Sequence, residues 1–123
     1  MIHIMNIRNR PWPKGQGHYI YVGRNWGKWK ASPLANPIHF NRPCQICGQF
    51  HQDTDQGRAD MAKCYLTWLR LQWKLNGPAK AELIRILKIH QKGEDITLQC
   101  FCSPKLCHAN VVEQVINKLK EGY

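Results

Sequence analysis

Residues 96–108 read I-T-L-Q-C-F-C-S-P-K-L-C-H, Ile96 through His108. Ile96 to Phe101 alternates with a period of two, which predicts a strand, and the alternation continues to place Cys100 and Cys102 on one face. Ser103-Pro104 then has the form of a cap followed by a first-turn proline. Beyond it Val111, Val112, Val115, Ile116 and Leu119 give one apolar face to a closing helix, with Lys118 and Lys120 near its carboxyl end. A strand that hands over to a helix is where α/β sheets bind ligands, because unpaired helix N–H groups gather at the carboxyl ends of the strands. Cys107 falls in or just before the first full turn, where the helix dipole and Lys105 favour a thiolate. The same field holds an anion or a phosphate, and His108 beside it can act as base, hydrogen-bond donor or ligand.

Upstream of this segment the pattern changes to helical. Met61, Tyr65, Trp68 and Leu69 recur at helical spacing from Gly57 to about Leu75, while Lys63, Thr67, Arg70 and Lys74 form a basic stripe. Asn76-Gly77-Pro78 ends that helix, Gly77 suiting the left-handed position and Pro78 the first turn of the next. The second helix runs to about Lys92 with Leu83, Ile86 and Leu87 inward, and Gly93 caps it. Two early strands are expected, at Ile2 to Ile7 and more weakly at Tyr19 to Val22, with a long irregular stretch from Gly23 to Pro43.

The resulting order, strand, strand, helix, helix, strand, helix, predicts a small single α/β domain over residues 1–123. Its mostly parallel sheet of about three to four strands packs with about three helices, and the third strand is central. A chain of 123 residues, 43% apolar, supports one core. No apolar run approaches the ~20 residues of a membrane span, and Met1 to Arg10 lacks the layout of a secretory signal. Six cysteines in clustered spacing without such a signal point to metal or thiolate chemistry in a reducing cytoplasm, bacterial or of a phage-infected host.

Charge is uneven. Residues 1–52 carry seven basic side chains and no acidic one, and the remainder carries eleven basic and eight acidic, so the formal +10 divides as +7 and +3. A one-signed half this dense calls for a polyanion or a phosphate group as partner, or else serves solubility alone.

Four pieces in order carry a family resemblance: Tyr21-Val22-Gly23-Arg24, Ser32-Pro33-Leu34-Ala35-Asn36-Pro37, the aromatic pair Tyr65 and Trp68, and Cys100-x-Cys102-x-Pro104-x-x-Cys107-His108. The chain resembles, over nearly its whole length, a family of small bacterial and phage domains with no agreed activity. The resemblance supports the architecture and the place of the site. Ala35 and Ala109 stand where that family usually has glycine.

His39-x4-Cys44-x2-Cys47-Gly48-x2-His51 has the spacing of a zinc site. Gly48 supplies the positive φ that lets both sulfurs face one ion, and residues 38–52 form an inserted metal-binding loop ordered by its metal. The local ligand set Cys44, Cys47, His39 and His51 is favoured, because the resembling family keeps its closing motif without a partner C-x-x-C. A set of Cys44, Cys47, Cys102 and Cys107, a redox C-x-x-C and two unmetallated thiols are the alternatives. Cys64, in mid-helix, reads as packing.

Trp12, Trp26 and Trp29 are interleaved with Arg10, Lys14, Arg24, Lys28 and Lys30. Aromatic faces stack bases and cations grip the backbone, so the mixture suits a nucleotide or a single strand; the same tryptophans can instead pin the loop to the core. Arg24 is placed to reach a phosphate near Cys107, and Asn36 either meets a base edge or holds the turn before Pro37. Three functions follow from these residues. The first is a zinc-containing domain binding a nucleotide or nucleic acid. The second is an enzyme on a nucleotide or nucleobase with Cys107 as nucleophile or His108 as acid/base. The third is a phage-type inhibitor acting on a protein partner.

Overall fold

The computed structural model describes residues 1–8, 17–101 and 105–122. Its elements are β1 (Ile2–Asn6), β2 (His18–Tyr21), α1 (Asp55–Lys74), α2 (Pro78–Gln91), β3 (Ile96–Cys100) and α3 (His108–Gly122). The expected order is present, and the sheet is three-stranded, β1-β3-β2, parallel throughout. Ile2 and His18 both register with Ile96, so all three strands start level. β3 is buried at every residue, as a strand flanked on both edges must be, and Thr97 and Gln99 are buried with Ile96, Leu98 and Cys100. α3 packs on β1 and β3, and α2 on α1 and α3. Among the described residues no helix is long and apolar enough to cross a membrane.

The boundaries follow local chemistry. α1 starts two residues before the apolar pattern because Thr54 caps it, its side chain accepting from Gly57 N–H at 3.0 Å. Gly57 is needed there, since a Cβ would stand 1.9 Å from the Gln52 carbonyl oxygen. Thr54→Ala is expected to lower stability by ~1 kcal/mol, read as a shift of the urea midpoint at constant slope.

At the other end the expectation for Gly77 is corrected. Asn76, at φ 55, takes the left-handed position, and Gly77 is the extended N-cap of α2 at φ −74. Asn76 N–H bonds Trp73 O at 3.2 Å and Gly77 N–H bonds Gln72 O at 2.9 Å, the paired bonds of a Schellman end. Asparagine tolerates the left-handed region, which leaves the glycine for the close approach to the Gln72 side chain. Gly93, at φ 79, ends α2 as expected. The Ser103-Pro104 cap, Cys102, Arg10, Trp12 and Lys14 lie outside the described residues.

Candidate functional site

Beyond the carboxyl ends of β2 and β3 lies a cavity of about 140 Å³, walled by the segment after β2, one face of α1 and the start of α3. Of Tyr21-Val22-Gly23-Arg24, Gly23 and Arg24 line it. Val22 N–H makes the last bond to β3, at Gln99 O, 3.1 Å. The Tyr21 ring folds back over Gly23 so closely that a Cβ would meet it at 2.4 Å, and its hydroxyl donates to Arg24 O at 2.5 Å. The Arg24 side chain then runs along the cavity wall. Its Nε donates to Asn36 O at 2.7 Å and its Nη2 to Ile38 O at 2.5 Å, so the guanidinium both lines the cavity and clamps the loop.

Asn36 is the turn-former of the two readings given for it. Its Oδ1 accepts from Ile38 N–H at 3.0 Å and its Nδ2 reaches the Met61 sulfur at 3.1 Å, which commits a buried amide to the fold. Tyr65 also lines the cavity, fully buried, with its hydroxyl donated to Leu34 O at 2.5 Å.

Arg58 is the residue sequence reasoning missed. It is 9% exposed, binds Asp53 through Nε at 2.7 Å and Leu106 O through Nη1 at 3.1 Å, and lies over the Phe40 ring at 5.1 Å. Its signal is present in the chain: Arg58, Met61, Ala62 and Tyr65 are spaced i, i+3, i+4, i+7, so a cation sits on the buried stripe of α1. The cavity thus receives two guanidinium groups, and no carboxylate lines it among the described residues.

Cys107 and His108 complete the wall. α3 begins at His108, so Cys107 precedes the first turn, and its backbone N–H is held by Asn110 Oδ1 at 3.0 Å. His108 Nε2 is 2.6 Å from Val22 O. A carbonyl only accepts, so Nε2 carries the hydrogen and the neutral ring keeps its lone pair on Nδ1. Burial, followed by the charge of Arg24, lowers the His108 pKa to about 4 against the hydrogen bond to Val22. With that pKa and with Nε2 committed, His108 is a neutral hydrogen-bonding group near pH 7 and a weak proton shuttle.

At the mouth, Trp26 and Trp29 pair across a tight hairpin, Trp26 N–H to Trp29 O at 2.9 Å and the reverse at 2.8 Å, with Gly27 at φ 54. Their roles divide. Trp29 packs on Tyr21 at 4.8 Å between ring centres, whereas Trp26 stands edge-on to Phe101 at 5.1 Å and is 58% exposed. Lys28, Lys30 and Lys105 are exposed. Arg8 covers Phe101 at 5.2 Å, so a cation also arrives from the end of β1.

The cluster of side chains that could hold a metal is separate from the cavity. Cys44, Cys47, His51 and Cys64 bring their donor atoms within 4.8 Å of one another. The knuckle is closed by Gly48 N–H to Cys44 O at 2.8 Å and Cys44 N–H to Gln49 O at 2.9 Å, with Gly48 at φ 78 as expected. Cys47 Sγ lies 3.6 Å from His51 Nε2, the edge of a tetrahedron with bonds of ~2.3 Å to sulfur and ~2.0 Å to nitrogen. His39 is not a member, and Cys64 is: α1 passes the knuckle and supplies the fourth donor. His39 is set instead toward Arg24 and Arg42, and burial first, then those two charges, lower its pKa.

Burial and the two neighbouring thiols push Cys64 up to about 12. Cys44, despite burial, is held down at about 7 by N–H groups of Cys47 and Ile46 and by His51. A Cys3His group of this spacing suits a metal such as zinc.

A family model described as Domain of unknown function (DUF4326) matches residues 5–118. No curated protein and no solved structure matches the chain.

Proposed function

We propose, for a chain that belongs to the DUF4326 family, a zinc-stabilised α/β module that binds the phosphate of a nucleotide or nucleic acid at the cavity between β2, α1 and α3. One observation carries the reading: Arg24, Arg58 and the Cys107-His108 helix start converge on the same cavity at the carboxyl edge of a parallel sheet. Arg24 and Arg58 bring positive charge to the cavity wall, with part of each guanidinium engaged by backbone carbonyls and that of Arg58 offset by Asp53, and the amino end of α3 adds its dipole. Val22 holds His108 in one tautomer at the cavity wall, so the hydrogen-bonding pattern is set before a ligand arrives.

Zinc is proposed for Cys44, Cys47, His51 and Cys64, a closed structural set with no position left for substrate. Bound there, it would join the loop of residues 38–52 to α1, the helix that carries Arg58 and Tyr65 to the cavity.

The test is salt-dependent binding of a short single-stranded oligonucleotide, competed by a nucleoside monophosphate. Arg24→Ala and Arg58→Ala are each expected to weaken binding about 10–100-fold, the range of a charge-assisted hydrogen bond. Lys118→Ala, on the far groove beside Trp73, is expected to change it less than about twofold. Equal losses at all three positions would reduce the binding to general electrostatic attraction and remove the pocket from the account.

A further inference from the structure

We infer that the ligand of this site is the phosphorylated end of a single strand, with the terminal monoester in the cavity and the adjoining base stacked on Trp26. The inference rests on the phosphate-binding reading and narrows it by three features. The first is size. At about 140 Å³ the cavity is well below the ~300–1,000 Å³ that encloses a drug-sized ligand, so it admits a phosphate-sized group and leaves the rest of a nucleotide outside. The second is closure. Tyr65, fully buried and bonded to Leu34 O, forms part of the wall, so on that side the cavity ends against the core, which suits a chain terminus. A terminal monoester also carries about −1.5 to −2 charges at neutral pH, against about −1 for an internal diester, which suits a pocket with two arginines.

The third feature is the mouth. Trp26 is a large aromatic held 58% exposed by a hairpin that its own backbone bonds to Trp29 fix, and by an Ala31 N–H to Asn25 Oδ1 bond of 2.6 Å. Its ring touches Phe101, and Phe101 lines the cavity, so indole and phosphate pocket are neighbours. Trp29 shows the alternative fate, folded against Tyr21. Lys28 and Lys30 follow on the same short hairpin and are exposed, so cations for the next phosphates of a strand lie close in the chain to the exposed indole. An exposed indole on a backbone-bonded hairpin that also carries two exposed lysines is a base-stacking platform with cations for the backbone in the same segment.

Anisotropy titrations with short labelled DNA and RNA strands bearing a 5′-phosphate, a 3′-phosphate or hydroxyl ends decide it. One phosphorylated terminus is expected to bind at least about tenfold tighter than the hydroxyl strand, and a blunt duplex with the same phosphate to bind weakly. Trp26→Ala is expected to cost about 5–150-fold, the range for one stacked base, while Trp26→Phe recovers part of it at an unchanged thermal midpoint. If phosphorylated and hydroxyl strands bind alike, or Trp26→Ala has no effect while a mononucleotide still binds in an Arg24-dependent way, this inference fails and the phosphate pocket stands. If neither strands nor mononucleotides bind in an Arg24-dependent way, both fail.

Discussion

Cys64→Ser is expected to release the metal and lower the thermal midpoint by about 10–20 °C, whereas His39→Ala leaves both unchanged. The two substitutions separate the ligand set that geometry assembles from the one that spacing alone suggests. Cys44, Cys47 and His51 belong to one short loop, and Cys64 is the only donor of the four from a helix. Serine is a poor zinc ligand, so its loss of affinity should exceed the ~10–100-fold that follows removal of a mere supporting contact. A metal present at a thousand times its dissociation constant contributes ~4 kcal/mol, and each kcal/mol moves the midpoint of a domain this size by about 3–5 °C. A strong chelator should lower the wild-type midpoint by the same amount and add nothing to Cys64→Ser. Metal analysis by native mass spectrometry should give one zinc per chain for wild type and His39→Ala. A fully folded, metal-free wild type would end the assignment, and so would a Cys64→Ser protein that keeps its zinc.

The contrast between His39 and Cys64 marks where sequence stops being informative. Local pattern carried far. The alternation of Ile96 to Phe101, its place after two helices, and the Gly48 turn were each readable because they depend on neighbours in the chain. Which turn of α1 lies against the knuckle depends on how the helix docks, and period alone does not register a helix against a loop twenty residues before it. Arg58 is a related case. Its place on the apolar stripe is written in the chain, yet a cation in that position means a buried site only once Asp53 and the Leu106 carbonyl are known to meet it. Trp26 and Trp29 are alike by composition and opposite in setting, because the hairpin between them turns one indole onto Tyr21 and the other to solvent. Convergence of Arg24 with His108 was legible for a different reason: parallel strands starting in register must end together, and both residues follow strand ends.

Acidification from pH 7 to pH 4 is expected to remove ~3 kcal/mol of folding stability through His108, a loss that His108→Gln abolishes. The folded pKa is about 4, lowered from the ordinary 6.5 first by burial and then by the charge of Arg24. Between these values the unfolded chain binds a proton that the folded chain refuses, so stability rises with pH across that window. Read downward, the contribution is complete above about 6.5, declines from there, and is exhausted near 4. His90 adds a loss of the same sign: its buried Nδ1 meets no hydrogen-bond partner among the described residues, and burial, Lys120 and the amino terminus lower its pKa. Metal release in acid adds another. Both persist in His108→Gln, so the difference between the two proteins' urea-derived stabilities against pH isolates the cavity histidine. Glutamine can still donate to Val22 O, which keeps the comparison within a folded protein. Parallel profiles for the two proteins would mean that His108 is not held neutral in the cavity. The same linkage reports on the ligand: a bound phosphate monoester favours imidazolium, so its presence should shift the His108 part of the profile to higher pH and lessen the acid loss.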